Sequence, residues 1–255
     1  MKIFFFISLL ISLNVYSQNY TIKYEVDIND PSLKWGTTDS YQLITKSDGF
    51  KSIEYRKDKD TIIINSIGVL RETKDKFYSD TLKFQRLKNL NKNIIEYTKY
   101  NGQVHVKDTL NIEYKTGNNQ KTILGYECIN LFFKFRGRYY EAYYTKEIPI
   151  SDGPFKFIGA NGLILEVTSF DESVKIKASS IFKNTDESKT LFIDKEDWFG
   201  KCEYIFSYNK YVRIFLNQWY ENITKTESQY PGSTSSFNSR RIEIFPNKLD
   251  PEIDD

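Results

Sequence analysis

Few side chains in this sequence can do chemistry. His105 is the one imidazole, and Cys128 and Cys202 are the only thiols. One histidine cannot supply a two- or three-histidine metal site. A Ser-His-Asp or Cys-His hydrolase would have to be built on His105. The single methionine is Met1, which excludes a methionine-rich copper site. Ser-x-x-Lys occurs at Ser180–Lys183 and Ser207–Lys210, and Lys115-Thr116-Gly117 is also present. Those are the residue types of penicillin-recognising enzymes, but both copies follow the Lys-Thr-Gly and so reverse their order. There is no phosphate-cradling glycine loop, no Gly-x-Ser-x-Gly elbow and no Asp-x-Asp-x-Asp-Gly calcium loop. No metal and no cofactor is therefore expected. His105 lies between Val104 and Val106, just after Asn101-Gly102, and reads as a strand residue with a hydrogen-bonded or solvated ring. What remains is carboxylates. Glu147, Asp152 and Glu166 lie near tight turns and could act as general acid and base, as in glycosidases.

Composition narrows the partners. The chain has 255 residues, with 36 Lys+Arg against 34 Asp+Glu, a formal net charge of +2. That balance gives no electrostatic footprint for nucleic acid. A chain of this length can bury a full core without staples. Hydrophobic residues at 40% and charged residues at 27% describe an ordinary globular composition. Aromatics reach 16%. AT-rich codons account for part of that excess, and tyrosine and phenylalanine also favour strands.

The elements follow from periodicity. Lys2, the apolar run Ile3–Leu13, and Val15 and Ser17 form a secretory signal cut after Ser17. The run is shorter than the ~20 residues that span a bilayer, and no other stretch comes close, so the chain reads as not membrane-spanning. Export would place Cys128 and Cys202 where a disulfide can persist. Two buried thiols are the alternative. From residue 20, Tyr20, Ile22, Tyr24, Val26 and Ile28 alternate with polar residues, the pattern of a half-buried strand. Further strands are expected at Tyr41–Thr45, Phe50–Arg56, Thr61–Ile67, Asn93–Tyr100, Gln103–Lys107, Leu110–Tyr114, Thr122–Phe135, Arg138–Thr145, Leu163–Phe170 and Val174–Phe182. Asn101-Gly102 and Arg136-Gly137 read as hairpin turns. Near the C-terminus the apolar spacing changes to three and four, which predicts one amphipathic helix, or two broken near Asn209, over about Lys195–Asn222. Asp194 and Asp197 offer a weak capping box. Arg241–Phe245 reads as a last short strand. The expected fold is mainly β: a large curved antiparallel sheet, open or a half barrel, with one or two amphipathic helices near the C-terminus. Residues 18–248 form a single β-rich domain after the 1–17 signal, and 249–255 is an acidic tail.

The segment Arg138–Leu165 concentrates aromatics and turn residues. Glu147-Ile148-Pro149-Ile150 must be extended, because Pro149 restrains its predecessor. Ser151-Asp152-Gly153-Pro154 reads as a tight turn, and Gly159 and Gly162 bracket a second. Here the chain resembles the GLPGLI family of exported proteins from Gram-negative bacteria. Gly159, Gly162, Leu163 and Ile164 match the run that names the family, with Ala160-Asn161 in place of Leu-Pro. Lys121–Tyr126 with Gly125 and Tyr126, then Cys128, Phe135–Arg138 with Gly137, Tyr140 and Ala142 look like an upstream block. Glu147–Ile150 with Pro149, Gly153-Pro154 and Lys156-Phe157 look like a central block. The resemblance implies export to the periplasm or beyond, a β-rich fold, and association with outer-membrane TonB-dependent transporters or other envelope proteins. It supplies no catalytic residues.

Three functional readings stand on these residues. The first is a non-enzymatic envelope protein that binds an apolar ligand, a peptide or a partner, through a groove lined by Arg138, Tyr140, Tyr144, Glu147, Phe155 and Phe157. The second is a secreted hydrolase working with carboxylates. The third is a structural subunit that pairs a strand with another protein's sheet edge.

Overall fold

The computed structural model describes residues 19–29, 39–58, 63–64, 70–71, 83–99, 102–184, 199–231 and 242–243. The signal segment, the Asp194–Asp197 cap and the acidic tail lie outside these residues.

The chain runs through β1 (Asn19–Ile28), β2 (Asp39–Ser47), β3 (Lys51–Asp58), β4 (Ile63–Ile64), β5 (Leu70–Arg71), β6 (Lys83–Asn89), β7 (Ile94–Lys99) and β8 (Val104–Thr109). It continues through β9 (Lys115–Ile123), β10 (Tyr126–Phe135), β11 (Arg138–Thr145), β12 (Leu163–Ser169), β13 (Val174–Asn184), β14 (Tyr204–Ser207) and the helix α1 (Tyr208–Gln229). Twelve strands form one sheet in the order β14-β8-β7-β6-β3-β2-β1-β13-β12-β11-β10-β9, while β4 and β5 pair apart. Every pairing in the large sheet is antiparallel except β14 on β8. The fold is thus mainly β, with an open sheet and, among the described residues, one long helix near the C-terminus.

Alternation decides the inward face. Tyr20, Ile22, Tyr24, Val26 and Ile28 of β1 are all buried, as period two requires. Turn chemistry decides the connections. Arg136 and Gly137 have φ of 43° and 83°, the two positive values that a two-residue hairpin turn needs to match strand twist. Leu124 and Gly125 repeat that geometry at 53° and 88°. This second turn divides the expected Thr122–Phe135 strand into β9 and β10. Leu124 takes its positive φ as the first central residue of this turn, with its side chain exposed.

Three other expectations change. Leu110–Tyr114 is irregular chain. Of the expected Arg241–Phe245 strand, Ile242 and Glu243 are described, and they form a bend. The helix starts later than its periodicity suggested. Tyr204–Phe206 pair with β8 as a strand, because β8 offers an unpaired edge and these are strong strand formers. Ser207 then caps α1, its hydroxyl accepting from the Lys210 amide at 3.3 Å. Tyr211, Val212 and Leu216 seat the first half of the helix in the core.

The sheet curls around one loop, residues 146–162, between β11 and β12. Tyr24 of β1 donates to the Ile164 carbonyl at 2.9 Å, and Tyr114 donates to the Ile158 carbonyl at 2.8 Å. Ile148, Ile150, Phe155, Phe157, Ile158 and Ala160 of the loop are buried with β1, β10 and β11 in a single core cluster. Gly162 is where the loop must re-enter the sheet. Its φ is +146°, and a Cβ there would sit 2.2 Å from the Thr145 carbonyl oxygen.

Candidate functional site

The six residues expected to line a groove are not brought together as one. Tyr140, Tyr144, Phe155 and Phe157 are buried in the core. Phe157 is fully enclosed, with the rings of Phe133, Phe135, Tyr140 and Phe155 at 5.1–5.8 Å. Burial holds the Tyr140 phenol well above its ordinary pKa, and its hydroxyl donates to the Ile242 carbonyl. Arg138 donates from Nη1 to both Asp171 oxygens, at 2.8 and 3.0 Å. Hydrogen bonds from Ser169 and Ser173, with the Arg138 charge, outweigh partial burial and hold the Asp171 carboxyl below its usual range. Glu147 is far from that pair: it accepts the Glu127 amide at 2.7 Å.

The residues matched to the family blocks have local roles. Gly125 and Gly137 complete the two hairpin turns, and Tyr126 opens β10 opposite Ile123. Pro149, Gly153, Pro154, Gly159 and Gly162 shape the 146–162 loop. At Gly153 a Cβ would lie 2.6 Å from the Phe157 carbonyl oxygen, so the turn closes only without one.

The three candidate carboxylates are also separated. Asp152 is fully buried, 3.2 Å from Lys88 Nζ. Glu166 pairs with Lys121. Glu147 stands at the surface. His105 stacks on Phe199 at 4.0 Å and lies 3.4 Å from Glu96. Cys128 and Cys202 are free thiols. Burial pushes the Cys128 thiol up to about 11, which removes it as a nucleophile near neutral pH.

A cleft of about 340 Å³ opens at the β9 end of the sheet, lined by Gln120, Lys121, Thr122, Glu127, Cys128, Ile129, Lys146 and Glu147. The Leu124-Gly125 turn builds it by setting Lys121 opposite Cys128 and Thr122 opposite Glu127. The end of β11 delivers Lys146 and Glu147 to the third side. Glu147, bonded to the Glu127 amide, ties that end to β10. Lys121 is fixed by Glu166 and lies 3.7 Å over the Tyr143 ring. Lys146 and Glu127 are exposed. The cleft therefore presents two ammonium groups and two carboxylates on strand ends whose backbones are held. Such a surface can recognise a ligand that carries both signs of charge, or orient two carboxylates about a polar bond. Sequence reasoning missed Gln120, Lys121, Thr122, Glu127 and Lys146 as lining. Nothing in their spacing marks them, because the cleft exists only once β9 turns back on β10 and β11 ends beside them.

Among the described residues no group of three or more His, Cys, Asp and Glu could hold a metal ion. No helix among them is long and apolar enough to cross a membrane. A family model described as a protein of unknown function (Porph_ging) matches residues 86–166. Two crystal structures of PNGF-II resemble the chain. The C2 form is 17% identical with a TM-score of 0.48, over 76% of this chain and 32% of that chain. The P21 form is 19% identical with a TM-score of 0.46, over 77% and 33%. The chain thus spans about a third of the length of those proteins. No curated protein matches the chain.

Proposed function

We propose that this is an exported envelope protein of the GLPGLI type that binds a polar peptide or a partner's loop at the β9-end cleft. The observation that carries the reading is the mixed-charge lining of that cleft, Lys121 and Lys146 with Glu127 and Glu147. Complementary charge on held elements gives register and selectivity to a charged partner. An apolar ligand is disfavoured, because the aromatics that would receive it are packed against one another. The N-terminal signal pattern and the family resemblance support export and an association with outer-membrane transport. Strand pairing at β9 is disfavoured as the mode of binding. Lys115 and Lys121 lie on that edge, and its pairing with β10 is broken by a bulge, features that blunt open edges.

The test is capture of envelope partners by tagged protein beginning at Gln18. Reversing two of the exposed charges, Lys146→Glu with Glu127→Lys, should lower recovery of any specific partner by tenfold or more, the scale of a lost charged contact. Thermal unfolding should not move. Undiminished capture would rule the cleft out.

A second reading rests on one observation: Glu127 and Glu147 share the cleft and Glu166 reaches it through Lys121. Those carboxylates could serve a secreted hydrolase. The same protein should then turn over a glycoside or peptide substrate and lose turnover in Glu147→Gln. Turnover unchanged in that variant removes the reading.

A further inference from the structure

The 146–162 loop is held in the sheet by two buried ionic clusters of opposite construction. At one end the loop supplies the anion. Asp152 meets Lys88 of β6 at 3.2 Å, and Glu54 of β3 meets Lys88 at 3.3 Å while accepting the Phe155 amide at 2.7 Å. All three side chains have no solvent exposure. At the other end the loop supplies the cation. Lys156 Nζ lies 2.9 Å from Asp108 of β8, 2.9 and 3.1 Å from the Glu243 oxygens, and 3.2 Å from the Tyr97 hydroxyl. Arg136, from the β10–β11 turn, pairs with both Asp108 and Glu243 and stacks 3.3 Å over Tyr208.

Charge balance makes one member special. The second cluster holds two cations, Lys156 and Arg136, and two anions, Asp108 and Glu243. Asp108 belongs to the sheet. Glu243 arrives from the C-terminal segment, beside Ile242, whose side chain is buried and whose carbonyl accepts the Tyr140 hydroxyl. We propose that Ile242–Glu243 is a strap that latches the 146–162 loop shut. With the strap seated, the cluster is neutral and Lys156 stays under Tyr97 and Tyr208. With the strap displaced, Lys156 and Arg136 face Asp108 alone. One buried positive charge is then uncompensated, and Lys156 loses most of what holds it among the rings. Lys88 keeps Glu54 and Asp152 whether or not Glu243 is seated, so that cluster holds. The loop opens only around Lys156–Ile158 and uncovers the Phe133, Phe135 and Tyr140 rings that pack on Phe157. The strap therefore sets whether the concave aromatic face is closed or open.

The test is amide hydrogen exchange on the full chain. Glu243→Gln keeps the shape and removes the charge. Exchange at Lys156–Ile158 should speed by about tenfold or more, the size of a local opening, with the Phe155 amide, β1 and β13 unchanged. Glu243→Ala should behave alike, and sodium formate, a carboxylate small enough for the vacated place, should slow that exchange again. Unchanged exchange at Lys156–Ile158, acceleration spread equally over β1 and β13, or no response to formate would each overturn the strap. If Glu243→Gln fails to fold, the double variant Lys156→Met, Glu243→Gln restores a balanced Arg136–Asp108 pair. A folded double variant supports the proposal, and an unfolded one defeats it.

Discussion

Lys146 and Lys156 lie on the same loop and have opposite environments. Lys156 is buried against Asp108 and Glu243, and burial holds its ammonium below the ordinary lysine pKa despite those two anions. Lys146 is exposed at the mouth of the β9-end cleft. The charges of the concave face are committed to one another, and they fix where the loop sits. The charges of the cleft are partly free to meet something else. An ionic group far from water is strongly coupled to stability, and one at a rim governs association instead.

That contrast can be broken first at its buried side. Lys88→Met should destabilise the fold by about 3–5 kcal/mol, the cost of leaving buried carboxylates without their cation. Glu54 would keep Arg86 and the Phe155 amide. Among the described residues, Asp152 would keep the Gly153 amide at 2.8 Å. Urea unfolding measures the loss, and a change under ~1 kcal/mol would mean that Lys88 is not the counter-charge.

Acid should reveal the second cluster with a smaller effect. Burial pushes the Glu243 carboxyl up, but Lys156 and Arg136 outweigh it and hold the net pKa below the ordinary glutamate range. A carboxyl depressed in the folded state stabilises above its unfolded pKa, and that stabilisation is lost as pH falls through the folded value. Thermal stability should therefore fall on acidification below the usual glutamate range. Glu243→Gln should flatten that limb, and an unchanged acid limb would separate Glu243 from the pair.

The smallest effect belongs to the cleft. Lys146→Glu alone should change stability by no more than ~0.5 kcal/mol, because the group is exposed. A thermal-shift measurement that finds a loss of 2 kcal/mol or more would place Lys146 with the buried set.

Much of the fold was legible from the residues. The alternation of Tyr20–Ile28 and the Arg136-Gly137 turn were readable because each depends on neighbours along the chain. The helix was readable as an element but not at its start, since Tyr204–Phe206 have apolar spacing that suits either structure and only the free edge of β8 chose the strand. The aromatics of Arg138–Leu165 marked the right segment and suggested the wrong use of it. Exposed lining and packed interior call for the same ring-bearing residues, and no pattern in the chain separates them.

The sequence by itself determined many of the strands, the lone imidazole, the near-neutral charge and a loop dense in Pro, Gly and aromatics. Those are properties of single residues and short spacings. Tertiary structure decided that Asp152 meets Lys88, that Lys156 meets Glu243, and that Lys121, Glu127, Lys146 and Glu147 border one cleft. Each of these joins residues from different strands or distant loops. Their energy depends on distance and exclusion of water, which are fixed only when the sheet closes over the loop.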